Sequence, residues 1–170
     1  LIALGGADLR HDLRRVLMHL LKRDGGPTRR LTVIANKRSA EEQQLDAVLS
    51  RWKRKVEVHT WVEPQGLANL FAGHQAALVS ASTLAFEALA TSTPIIALRT
   101  ADNQARLGAH LQKMGIHVFD DTSEAAQGLI DGKASRQNDD APFDGLGIWR
   151  VADALGAVSY THLTLPTMFE

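Results

Sequence analysis

An open parallel α/β sheet of about six strands, with helices on both faces, is the architecture this sequence predicts. Two observations carry it. Apolar runs alternate with amphipathic stretches along the whole chain, and the runs are short. Strict β-α alternation with short strands argues a parallel sheet with crossover helices on each face. The result is a Rossmann-like sheet.

The apolar runs are Leu1–Leu4, Leu31–Ala35, Val56–Thr60, Ala76–Ser80, Pro94–Leu98 and His117–Phe119. The first amphipathic stretch keeps Leu9, Leu13, Val16, Leu17, Leu20 and Leu21 on one face, with Arg10, Arg14, Arg15, Lys22 and Arg23 elsewhere. Leu45, Val48, Leu49 and Trp52 repeat the pattern, as do Leu67, Leu70 and Phe71. Leu84, Phe86 and Leu89 follow, then Leu107, Leu111 and Met114, and a last helix is expected from Leu146 to Leu155. Asp24–Thr28 and Met114-Gly115 carry helix-stop chemistry. Gly132–Asp144 is polar, contains Pro142 and is expected to be a surface loop.

The 170 residues suit one domain, and 45% hydrophobic with 22% charged residues is ordinary for a globular chain. A net charge of zero gives no global attraction to nucleic acid or an anionic membrane, so neither is expected as a partner. Cysteine is absent, which excludes disulfides, thiolate metal sites and a cysteine nucleophile and fits a cytoplasmic setting. No apolar run approaches the ~20 residues needed to span a bilayer. The chain opens inside a strand without an initiator Met, so a segment ahead of it is expected to be missing. From Val158 onward neither periodicity persists. Residues 1–156 are therefore expected to form the domain, and residues 157–170 a non-native or disordered tail.

Ligands of such sheets bind outside the carboxyl ends of the strands. After the first strand stand Gly5 and Gly6, which allow either a tight turn or a close backbone approach to a diphosphate. Neither G-x-G-x-x-G nor a P-loop is present. After the fourth run, Ser82 and Thr83 can cap a helix or donate hydroxyls to a phosphate. Glu87, the lone acid of that helix, is either a surface carboxylate or an acceptor for a ribose diol. Val62 follows the third strand, where its backbone could meet a uracil edge. Asn103 and Gln104 open a later helix with amides that suit a sugar, a phosphate or a plain helix start. The basic run Arg51–Lys55 is expected to be a helix C-terminus rather than an RNA contact. His11 lies close to the glycine loop and is expected to be a solvated helix histidine. The seven histidines show no ligand spacing, so no metal and no cofactor are expected.

Taken in order, Leu1–Asp8, Ser80–Leu89, Ala101–Gln104 and Asp144–Ala152 resemble a known family. It is the C-terminal domain of the UDP-2,4-diacetamido-2,4,6-trideoxy-β-L-altropyranose hydrolases of pseudaminic acid biosynthesis. That family is related to the family 28 glycosyltransferases and has the GT-B fold of two Rossmann-like domains. The resemblance covers roughly residues 1–155. It implies a UDP-binding half, with Gly5 and Gly6 along the diphosphate, Val62 at the uracil, Ser82 and Thr83 on phosphate, Glu87 on the ribose, and Asn103 and Gln104 toward the sugar. Where many members have Gly-Gly-Ser-Thr, this chain has Ala81-Ser82-Thr83-Leu84, which leaves backbone N–H contacts available. The family's catalytic histidine belongs to an N-terminal domain, the expected partner, so the chain alone is expected to bind a UDP-sugar weakly and not turn it over. Two other functions fit the same residues: the C-terminal half of a UDP-sugar glycosyltransferase, and a non-catalytic Rossmann-like binding module.

Overall fold

A computed structural model of the 170-residue chain describes residues 1–5, 11–23, 30–42, 44–52, 55–136 and 146–161. The chain divides into two compact units, Leu1–Asn138 and Asp139–Glu170. The first unit is α/β. Its strands are β1 (Ile2–Ala3), β2 (Arg30–Ile34), β3 (Lys55–His59), β4 (Ala77–Ser80), β5 (Ile95–Leu98) and β6 (Val118–Phe119). Its helices are α1 (Asp12–Lys22), α2 (Lys37–Glu42), α3 (Leu45–Leu49), α4 (Pro64–Ala72), α5 (Thr83–Ala90), α6 (Ala105–Lys113) and α7 (Thr122–Ile130).

All six strands are parallel and lie in the order β3-β2-β1-β4-β5-β6. The chain winds outward from β1 through β2 to β3, then returns to place β4 on the other side of β1. That reversal opens a crevice between the carboxyl ends of β1 and β4. The expected Rossmann-like sheet is the observed one.

Side chains alternate across the buried strands with period two, and each half of the alternation has its own helical cover. Ile2, Val33, Leu78 and Ile96 face a layer that includes Leu13, Val16, Leu17 and Leu20 of α1, Leu45, Val48 and Leu49 of α3, and Ala125 and Ala126 of α7. Ala3, Ala77, Val79, Ile95 and Ala97 face Phe71 of α4, Ala85, Ala88 and Leu89 of α5, and Leu111 of α6. Phe71 is fully buried, a placement worth roughly 2–3 kcal/mol over exposure.

Several boundaries differ from expectation. α3 stops at Leu49, short of Trp52, which is buried beyond the helix end. Lys55 opens β3 and so does not belong to a helix C-terminus. α7 was not expected. Its face against the core is built from Ala125, Ala126 and Gly128, too small to mark an apolar stripe. Asp121 begins it, its carboxylate accepting from the backbone N–H of Ser123 (2.8 Å) and Glu124 (3.1 Å). Ser135, within the expected surface loop, forms an antiparallel bridge with Ile95 at the start of β5. Residues 6–10, 24–29, 43, 53–54, 137–145 and 162–170 lie outside the described residues, and with them Gly6, the helix start at Leu9, the Asp24–Thr28 loop and the rest of the tail.

In the second unit, α8 (Gly147–Thr161) runs past the expected end at Leu155. Ile148, Val151 and Leu155 recur along it at helical spacing and are exposed.

Candidate functional site

The crevice between β1 and β4 gathers the first candidate residues. Gly5 follows β1 with φ +88°, a left-handed conformation that glycine adopts at little cost. A methyl group at Gly5 would lie 3.7 Å from Ser80 Oγ, so the turn after β1 passes close to the end of β4. Ser80 is buried, and its hydroxyl is hydrogen-bonded to Ser82 Oγ at 2.8 Å. Ser82 N–H donates to the Ser80 carbonyl at 2.8 Å, folding the segment into a tight turn at the strand end.

That turn delivers the chain into α5. Ser82 is its N-cap, in extended backbone, with Oγ accepting from Leu84 N–H at 3.3 Å. The capping expected of Ser82 is therefore observed, and Thr83 becomes the first helical residue. Thr83 and Glu87 are both exposed, one turn apart on the same helix. The first turn of a helix leaves N–H groups without intrahelical partners and carries partial positive charge. Ala85 and Ala88 seat α5 closely on the sheet, which fixes where that charge sits.

The loop after β5 is organised by Gln104. Its Oε1 accepts from Thr100 N–H at 2.9 Å, and its Nε2 donates to Thr100 Oγ1 at 3.1 Å. This amide closes the loop on itself, a structural use of a residue the sequence offered as a sugar contact. Asn103, one position earlier in a 3-10 turn (Asp102–Gln104), is exposed at the same strand end. Arg99 Nε donates to Asp120 Oδ1 at 2.5 Å, joining the ends of β5 and β6. Arg99, Ala101, Asp102, Ala105 and Asp120 line a cavity of about 280 Å³ there.

Val62 follows the edge strand β3, two strands from β1. It is half-buried against α4: a methyl group at Gly66 would come within 3.2 Å of its Cγ1. Glu63 N-caps α4 in extended backbone, Pro64 takes the first helical position, and Glu63 O accepts from Leu67 N–H at 2.8 Å. The sheet thus sets Gly5 and Ser82 at one crevice, with Thr83 opening α5 and Glu87 one turn into it, Asn103 and Gln104 one strand further, and Val62 at the far end of the same carboxyl edge. Ser80 was not singled out in the sequence; its serine at a strand end, two residues before a capping serine, is the signal that could have found it.

A larger cavity, about 360 Å³, lies along α1, lined by His11, Arg14, Arg15, Met18, His19 and Lys22. His11 precedes α1 in left-handed backbone (φ 55°) and is exposed. Among the described residues no group of three or more His, Cys, Asp or Glu side chains could hold a metal ion. Among them, too, no helix is long and apolar enough to cross a membrane. No protein-family model matches the chain, and no curated protein matches it.

Proposed function

We propose that this chain is the nucleotide-binding half of a UDP-sugar hydrolase, one that releases UDP and a 2,4-diacetamido-2,4,6-trideoxy sugar for nonulosonic (pseudaminic) acid biosynthesis. The observation that supports the nucleotide part is the meeting, at the sheet's reversal, of the Gly5 turn with the Ser80–Ser82–Thr83 turn and the N-terminus of α5. A diphosphate placed there meets backbone N–H groups, a hydroxyl from Thr83 and the positive end of a helix dipole. In this reading Glu87, one turn along α5, accepts two hydrogen bonds from a ribose diol. The sugar's identity rests on the sequence resemblance alone.

In this reaction water attacks the anomeric carbon, the bond from that carbon to the diphosphate oxygen breaks, and negative charge collects on departing UDP. The chain's role is to stabilise that charge. Dipoles and donors held rigid before the reaction do so with no reorganisation cost at the moment of cleavage. The proton on the attacking water goes to a base that the resemblance places in a partner domain.

Calorimetric titration with UDP tests the reading. UDP binds, and Glu87→Ala weakens binding roughly tenfold by removing hydrogen bonds to a charged acceptor. The chain alone releases no sugar from a UDP-sugar above the Glu87→Ala background. Absence of UDP binding at millimolar ligand, with the fold intact by circular dichroism, overturns the nucleotide reading. Sugar release above that background overturns the placement of the base elsewhere.

A further inference from the structure

Only two large apolar side chains of the first unit are exposed among its described residues: Val58 at 40% and Trp61 at 74%. An indole carries a large apolar surface, and leaving it in water forgoes much of the stabilisation that burial gives. Trp52, by contrast, is 8% exposed. Trp61 therefore offers a large apolar face to a ligand. Its position is specific: it follows β3 on the carboxyl edge and leads directly into Val62.

The segment that carries it is braced. Val62 seats against Gly66, Glu63 caps α4, and Pro64 fixes the first helical residue. An aromatic ring with two side-chain torsions on a held backbone loses little entropy when it is covered. The same strand end has a second unsatisfied group. His59, the last residue of β3, has its Nε2 buried without a hydrogen-bond partner among the described residues. Strand spacing puts the end of β3 about 10 Å from that of β1 and about 14 Å from that of β4. A base, ribose and diphosphate laid end to end fill such a reach.

We propose that Trp61 is the stacking platform for the base of the nucleotide, an assignment that rests on the nucleotide reading above. The indole face takes the flat base and covers its own exposed surface in doing so. Stacking accepts any planar base. Choice among bases then falls to the backbone at Val62, beside it.

The test uses the full chain, with UDP, UMP and inorganic pyrophosphate as probes, read by calorimetry and tryptophan fluorescence. UDP and UMP quench the emission of the exposed indole, and Trp61→Phe abolishes that quenching while keeping affinity within about threefold. Trp61→Ala weakens UDP and UMP by the same factor, roughly tenfold, and leaves pyrophosphate binding unchanged. Two results overturn the assignment while leaving the nucleotide reading intact. In one, Trp61→Ala binds UDP as tightly as the parent. In the other, it loses pyrophosphate affinity by the same factor as UDP, which marks a structural role for the loop. Failure of the parent chain to bind UDP overturns both.

Discussion

Single residues already fix two measurable properties of the sheet. Gly5 holds φ +88° with space for a methyl group, since the nearest atom, Ser80 Oγ, would be 3.7 Å away. Gly5→Ala therefore carries a backbone cost and no clash, and urea unfolding is expected to show a loss of roughly 1–2 kcal/mol. The second property is pH dependence, centred on His74. Its Nδ1 faces the Leu70 carbonyl and donates to it, so Nε2 is the acceptor, for the hydroxyl of fully buried Thr32 (2.9 Å) and for Arg30 Nη2 (3.5 Å). Partial burial holds its pKa below the usual histidine value, with Arg30 adding to the shift and Glu57 and the Leu70 carbonyl opposing it. A base whose folded pKa is depressed binds more protons when unfolded, so stability falls as pH drops below the unfolded value near 6.5. The urea midpoint should thus decline as pH falls below about 6.5. His74→Gln should flatten that decline, and a midpoint independent of pH would contradict the assignment.

Elements show which sequence signals survive folding. α1 and α6 were legible because leucines at helical spacing stand against charged faces; α7 was not, because its buried residues are Thr122, Ala125, Ala126 and Gly128. Small side chains carry little periodic contrast, yet they let α7 approach the sheet. A methyl group at Gly128 would lie 2.9 Å from Phe119 Cζ. Gly128→Ala should gain about 1 kcal/mol of helix propensity and lose more to overpacking, for a net destabilisation of about 1–2 kcal/mol. Phe119→Leu in the same chain relieves the contact, so the double variant should be more stable than the two single effects add up to. A neutral or stabilising Gly128→Ala would mean that Phe119 gives way easily. The cap at Asp121 is the other determinant of α7. The Ser123 hydroxyl and the Glu124 and Ser123 N–H groups hold its carboxyl below the usual aspartate pKa. Asp121→Ala should lower stability by about 1 kcal/mol.

At the scale of the whole molecule, the order of strands turns scattered loops into one edge. The residue types at Gly5 and Ser82 were legible as a turn and a cap, and strand alternation put them on the carboxyl side. Their adjacency was not legible, because it depends on β4 returning beside β1, and sequence order does not state that. The engagement of Gln104 with Thr100 and the exposure of Trp61 are likewise three-dimensional facts. A ligand lying along this edge makes a spatially specific prediction for amide hydrogen exchange. At about a hundred times its Kd, UDP adds roughly 2.7 kcal/mol to global stability, which slows core amides that exchange only on full unfolding. Loop amides exchange by local opening, so they respond only where the ligand touches them. Slowing is expected at residues 60–63, 80–87 and 100–104. It is not expected at 92–94 or 114–117, which connect helices to the amino ends of β5 and β6. Protection on the amino side of the sheet would place the ligand elsewhere and remove the geometric basis of the nucleotide reading.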